Sequence, residues 1–196
     1  MSRCLYNSSF EEFAIADENS IFGELCENYH GDALTTTREA WKSEISIMKG
    51  VISNFIGKDG RIIFEYDIPR LGKRVDVVLL FEGIVFCLEF KVGETRILEG
   101  DIDQVLDYAL DLKNFHKFSE DRIIAPILIA TNYRNSSTDI KMSVYDDKII
   151  NPLVTGKTGI PTLINEVLKR FPNESPVNPN WVISPYAPTP TIIEAA

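Results

Sequence analysis

Two apolar runs, residues 75–81 (VDVVLLF) and 84–92 (IVFCLEFKV), are separated only by Glu82-Gly83. Runs rich in β-branched and aromatic residues, joined by a two-residue link containing glycine, specify an antiparallel hairpin, because glycine supplies the positive φ such a turn needs. In that register the numbers of opposed residues sum to 165, so Phe81 faces Ile84 and Asp76 faces Glu89. Opposed side chains share a face and lie about 4.5–5.5 Å apart at Cβ. Lys91, two residues beyond Glu89, points the same way. Three ionisable groups therefore gather at one end of a surface otherwise made by Val78, Leu80, Val85 and Cys87.

The rest of the chain supplies elements on either side of this hairpin. Ser9 followed by Glu12 has the spacing of a capping box. Thr36 or Thr37 can cap a longer helix reaching about Ile56, along which Trp41, Met48, Val51 and Phe55 form one stripe at helical spacing. Residues 61–69 (RIIFEYDIP) read as a further strand. A second helix spans about Asp101 to His116, and residues 122–131 (RIIAPILIAT) read as another strand, with Pro126 tolerable only at an edge or a bulge. Residues 160–171 form a closing helix. The order helix, three strands, helix, strand is an α/β arrangement, a mixed central sheet flanked by helices. From 172 to 196 six prolines fall in 25 residues, a composition suited to an extended linker. The division expected is thus a domain over 1–171 with its core at about 36–131, followed by a tail.

At 196 residues the chain can bury one substantial core. Its apolar runs are too short to cross a bilayer, so the expectation is a cytoplasmic protein without membrane partners. Cys4, Cys26 and Cys87, odd in number and scattered, suggest neither a disulfide framework nor a zinc site. The net charge of −9 argues against an extensive nucleic-acid surface. Residues 154–159 (VTGKTG) contain Gly-Lys-Thr, but Asn151 stands where a phosphate-binding loop requires its first glycine, so the segment reads as a loop before the last helix.

Opposed carboxylates destabilise a sheet, and burying one costs several kcal/mol or shifts its pKa. A divalent cation offsets that cost, since Mg²⁺ takes oxygen ligands from one or two carboxylates together with substrate phosphates. Lys91 beside it would neutralise developing charge. A plainer reading stands alongside: Asp76 pairs with Arg74 or Lys91, and Glu89 and Lys91 lie on a solvated strand end. Glu44 lies on the apolar stripe of the first long helix, where it either needs a partner or reaches water at the rim. Gln104 and Tyr108, one turn apart on the following helix, project together. Gln104 also fits as the third residue of a cap begun by Asp101, and Tyr108 as an ordinary core residue. Arg70, Lys73 and Arg74 lead into Asp76, either as phosphate contacts or as a basic turn on a solvated edge.

Taken together, Glu44, Asp76, Glu89-Phe90-Lys91 and Gln104-x-x-x-Tyr108 resemble the PD-(D/E)XK nuclease superfamily. The narrower likeness is to its RecB-like and λ-exonuclease-like branch with a Gln-x-x-x-Tyr motif. The likeness spans about residues 36 to 131 and implies a restriction-endonuclease-like core of order α-β-β-β-α-β. The stretch from Pro69 to His116 is also similar to the N-terminal region of bacterial proteins carrying a Schlafen-type helicase/ATPase domain. The resemblance implies that Asp76, Glu89 and the Phe90 carbonyl ligate Mg²⁺ or Mn²⁺, and that Glu44 holds a second ion or a metal-held water. It further implies that Lys91 orients or activates water, and that Gln104 and Tyr108 position Lys91 or the nucleic-acid backbone. The implied activity is hydrolysis of phosphodiester bonds, in DNA ahead of RNA, coupled to a helicase or ATPase domain outside this chain. The alternative is a nuclease-fold module that binds nucleic acid or a partner protein without cutting. Pro69 lies seven residues before Asp76, so the literal Pro-Asp of the motif is absent.

Overall fold

A computed structural model describes residues 3–30, 34–143, 147–172 and 175–188. In chain order the elements are β1 (Tyr6–Ser9), α1 (Phe10–Ile15), α2 (Glu18–Asn28), α3 (Thr35–Ile52), β2 (Gly60–Ile68), β3 (Lys73–Phe81) and β4 (Ile84–Lys91). These are followed by α4 (Glu99–Phe115), β5 (Ile123–Ala130), β6 (Leu153–Thr155) and α5 (Ile160–Arg170). The strands form one six-stranded sheet in sequential order. Neighbours from β1 to β4 are antiparallel, whereas β4–β5 and β5–β6 are parallel. A parallel neighbour needs a crossover, and α4 supplies it between β4 and β5. The fold is thus the mixed α/β arrangement expected, with β1, α2 and β6 added to it.

Local chemistry accounts for the ends of these elements. Ser9 and Glu12 form the capping box: the Glu12 N–H donates to Ser9 Oγ at 3.1 Å, and the Ser9 N–H to Glu12 Oε2 at 2.8 Å. Neither Thr36 nor Thr37 caps α3. That helix begins at Thr35 with Leu34 at the cap position and no side-chain hydrogen bond there. Glu82 and Gly83 have φ of 47° and 78°, the two left-handed residues a tight hairpin requires. The register runs from Val77 opposite Leu88 to Phe81 opposite Ile84, as expected.

Pro126 departs from the expectation, because β5 lies inside the sheet and not at its edge. The N–H and C=O of Ile124 bond to Lys148 and Ile150. Pro126, two residues on, faces the same side, where pairing with β6 begins only at Ile127. Its missing N–H thus falls in a gap of the ladder.

The sheet separates two cores. On one face Phe64, Val77, Leu79 and Phe86 pack with Trp41, Ile45 and Met48 of α3 and Ile164 of α5. On the other, Tyr66, Val78, Leu80 and Cys87 pack with Tyr108, Ala109 and Leu112 of α4. Part of the proline-rich stretch completes this second core, so its described residues 175–188 are not an extended linker. Trp181 is fully buried, its Nε1 donates to Ser119 Oγ at 2.9 Å, and its ring lies 4.2 Å from that of His116. Proline content constrains backbone angles, but Trp181 and hydrogen bonds such as Phe118 N–H to Ser184 Oγ anchor the segment. Within residues 154–159, Val154 and Thr155 belong to β6 rather than to a loop. A Cβ at Gly156 would lie 1.8 Å from the Tyr133 carbonyl oxygen, so this glycine serves a close backbone contact. No helix among the described residues is long and apolar enough to cross a membrane.

Candidate active site

Asp76 and Glu89 occupy the end of the β3–β4 hairpin, one step beyond the Val77–Leu88 pair. Asp76 Oδ2 accepts the Phe90 N–H at 2.7 Å. A strand residue's N–H and C=O leave the strand on the same side, so the Phe90 carbonyl lies on the Asp76 side as well. Glu89 is buried. Its Oε1 accepts from Lys91 Nζ at 3.1 Å and from Gln104 Nε2 at 2.8 Å. Gln104 donates also to Tyr108 Oη at 2.6 Å and accepts from Lys91 Nζ on its own Oε1 at 3.1 Å. Gln104 and Tyr108 reach β4 because they lie one turn apart on the face of α4 that packs on the sheet. The five residues Asp76, Glu89, Lys91, Gln104 and Tyr108 are therefore gathered as the sequence predicts.

Glu44 approaches from α3. Its side chain is buried at 3 % exposure and its Oε2 has no hydrogen-bond partner; Glu89 Oε2 is likewise buried and unpartnered. Burial, then the charges of Glu65 and Glu89, push the Glu44 carboxyl up to about 8. Burial and the charges of Glu44 and Glu89 raise Asp76 well above the carboxylate range. Burial raises Glu89, with Lys91 opposing. Burial alone would lower the Lys91 ammonium, but Glu89 and Asp101 outweigh it and hold the pKa above its usual value. Glu89 is thus not on a solvated strand end, while Lys91 is half-buried.

Searches against protein-family models, curated proteins and solved structures find no match for this chain.

Two further residues belong to the cluster. Glu65 has φ of 54°, a left-handed conformation rare for a residue with a side chain. Its Oε1 accepts from Trp41 Nε1 at 2.9 Å, and its Oε2 lies 3.7 Å from Arg74 Nη1. At this level both strands shift face. Ile62 and Phe64 belong to the α3-side core while Tyr66 and Ile68 belong to the other; in β3, Val75 joins Val78 and Leu80 although its number predicts the opposite face. Asp76 stands at that seam, where a carboxylate from α3 and one from β4 can influence the same group. Phe64, Tyr66 and Ile68 alternate with Glu65 and Asp67, a pattern that predicts one face for all three and so gives no signal of the shift. Asp101, in the first turn of α4, lies 3.3 Å from Lys91 Nζ. Its spacing of three from Gln104 made it legible, but as a cap, whereas the helix starts at Glu99.

The three basic residues before Asp76 do not act as one group. Arg70 stacks 3.6 Å over Phe115 and lies 3.5 Å from Asp111, which ties it to the far half of α4. Lys73 is exposed at the start of β3. Arg74 alone joins the cluster, between Glu65 and the Tyr29 ring.

The donor set suits a hard cation, because two buried carboxylate oxygens without partners are otherwise costly. Among the described residues no three carboxylate, histidine or cysteine side chains already stand at ligand spacing. Glu89 Oε1 and Asp76 Oδ2 are engaged by protein donors, whereas the buried Glu44 Oε2 and Glu89 Oε2 have none.

Proposed function

We propose that this chain is a metal-dependent nuclease domain of the PD-(D/E)XK type, with a restriction-endonuclease-like core, hydrolysing phosphodiester bonds of nucleic acid, DNA ahead of RNA. The observation that supports it most is the Lys91 ammonium held by Glu89, Gln104 and Asp101 beside buried carboxylate oxygens that lack any partner. Structural strand ends have no use for such oxygens, since each costs about 1–3 kcal/mol. Mg²⁺ or Mn²⁺ would be held by Asp76, Glu89, Glu44 and the Phe90 carbonyl, and would supply Lewis-acid polarisation of a phosphoryl oxygen.

The side chains around it have separable tasks. Lys91 presents a fixed positive charge where negative charge grows on the phosphorus centre. Gln104 fixes the rotamers of Lys91 and Glu89 together, and Tyr108 fixes Gln104, so the amine does not depend on a mobile four-carbon stem. The partly buried end of the hairpin keeps water from screening these charges. In an acidic chain, grip on a long substrate would come from a helicase or ATPase domain outside it.

A second reading, a nuclease-fold module that binds nucleic acid or a protein without cutting, draws support from the carboxylates not standing at ligand spacing. Labelled DNA and RNA substrates incubated with Mg²⁺ or Mn²⁺ separate the two. Wild type should cut, and Asp76→Ala and Lys91→Ala should stay folded yet lose at least about 100-fold in rate. Undiminished cleavage in both variants refutes the assignment. Calorimetry showing no uptake of either ion favours the second reading.

A further inference from the structure

Most of the chain's cations are already committed. Arg70 serves Asp111, Arg74 serves Glu65, and Lys117, Lys141 and Lys169 pair with neighbouring carboxylates. Lys113 and Lys49 donate to backbone carbonyls, among them those of Ser119 and Ala14. Arg96 and Arg134, like Arg38, Lys73, Lys157 and Arg170, are exposed and their side chains make no hydrogen bond or ion pair to any described residue. Arg96 and Arg134 stand just past the carboxyl ends of the parallel strands β4 and β5, whose last pair is Lys91 with Ala130.

Arg134 lines a groove of about 580 Å³ together with Thr95, Asn132, Tyr133 and Asn135. Its lining includes no carboxylate, unlike the clefts bordered by Glu65 and Asp67 or by Glu166. The groove is built rather than loose. Gly93 N–H donates to Thr131 Oγ1 at 2.8 Å, Asn132 Nδ2 to the Gly93 carbonyl at 3.0 Å, and Asn132 N–H to the Glu94 carbonyl at 2.9 Å. Gly156 lies directly against the Tyr133 carbonyl and backs this wall. Arg134 is four residues beyond Ala130, so the groove lies within roughly 13 Å of Lys91 along the strand direction.

We infer that this groove is a nucleotide subsite for a single strand of nucleic acid, continuous with the Lys91 centre. Arg134 pairs with a backbone phosphate, the Tyr133 ring stacks an unpaired base, and Thr95, Asn132 and Asn135 offer hydroxyl and amide groups to sugar and phosphate oxygens. An aromatic beside a cation, with polar groups and no acid, is the chemistry of single-strand tracks, and stacking there needs no particular base. Ligands of open α/β sheets also sit outside the carboxyl ends of parallel strands. The groove accommodates one or two nucleotides and not the face of a duplex, so a duplex would have to be opened before its strand enters. The inference rests on the Lys91 end being the cutting centre, but binding tests it separately.

The test is fluorescence anisotropy of labelled DNA and RNA strands of about a dozen nucleotides, with chelator and without divalent ion, on the full chain. Tyr133→Ala should weaken binding roughly ten-fold. Arg134→Ala should weaken it comparably and lower the slope of log affinity against log salt by about one. Arg134 is exposed and Tyr133 half-buried, and unchanged melting temperatures confirm that each variant folds. The tighter of the DNA and RNA arms identifies the sugar. Equal affinity of both variants and wild type, or no binding by wild type, overturns the subsite whether or not the protein cuts. Binding that weakens as stated in a wild type inert with Mg²⁺ and Mn²⁺ upholds the subsite and removes the nuclease assignment instead.

Discussion

Asp101 Oδ1 lies 3.3 Å from Lys91 Nζ, and Glu89 Oε1 lies 3.1 Å from the same ammonium. Should Glu89 turn its oxygens toward an ion, Asp101 would remain the counter-charge that keeps the amine aimed. Asp101→Asn is expected to lower kcat about ten- to a hundred-fold with little change in KM, because it acts on positioning and not on substrate grip. Asp101→Glu should restore part of the loss. Steady-state kinetics on a labelled strand reads both, and a change confined to KM would contradict the role.

The carboxylates of the centre bear on stability in a direction opposite to ordinary acid denaturation. Glu44 is raised to about 8 from an ordinary 4.5 by burial and by Glu65 and Glu89, and Asp76, Glu89 and Glu65 are raised as well. The folded chain then binds more protons than the unfolded one, so this contribution is complete below the unfolded values and is lost as pH rises toward 8. Thermal melts without divalent ion should show the melting temperature falling as pH rises from about 5 to 8, and the fall should flatten when Mg²⁺ is added. A melting temperature that climbs over that window would contradict it.

Neutralising one member of the cluster should stabilise the fold while removing its chemistry. Asp76→Asn keeps an oxygen for the Phe90 N–H yet removes a carboxyl whose ionisation burial, Glu44 and Glu89 disfavour. A rise in melting temperature of about 2–4 °C without ion is expected, as for a gain of about 1 kcal/mol in a chain of this size. The additional shift that Mg²⁺ brings to wild type should vanish. Equal Mg²⁺ shifts in both proteins would place the ion elsewhere.

Trp181 tests the other end of the molecule. Its indole fills the α4-side core against His116 and Tyr66 and donates to Ser119 Oγ. Trp181→Ala should cost about 3–5 kcal/mol. Denaturant titration measures it, and a loss under about 1 kcal/mol would return the segment to the status of a loosely attached tail.

The parts of the site legible in the sequence were those governed by short-range geometry. A two-residue turn with glycine sets the β3–β4 register, which carries Asp76, Glu89 and Lys91 to the same end of the hairpin; helix periodicity aligns Gln104 with Tyr108. Glu65 was illegible because its position depends on a local left-handed backbone that shifts both strands between faces, against the alternation of Phe64, Tyr66 and Ile68 with Glu65 and Asp67. Arg70 looked equivalent to Arg74 in the sequence, yet Phe115 and Asp111, more than forty residues away along the chain, draw it off the site.

By itself, then, the order of residues determined the element types, the hairpin register and the one-turn spacing, since each follows from interactions among residues close along the chain. Tertiary structure decided that Glu44 from α3 reaches carboxylates on β3 and β4, that Asp101 rather than solvent faces Lys91, and that a proline-rich stretch supplies a core tryptophan. Those outcomes depend on which surfaces meet once the two cores close on the sheet. Burial is a property of that closed assembly, and it alone turns ordinary carboxylates into a cluster that needs a cation or protons.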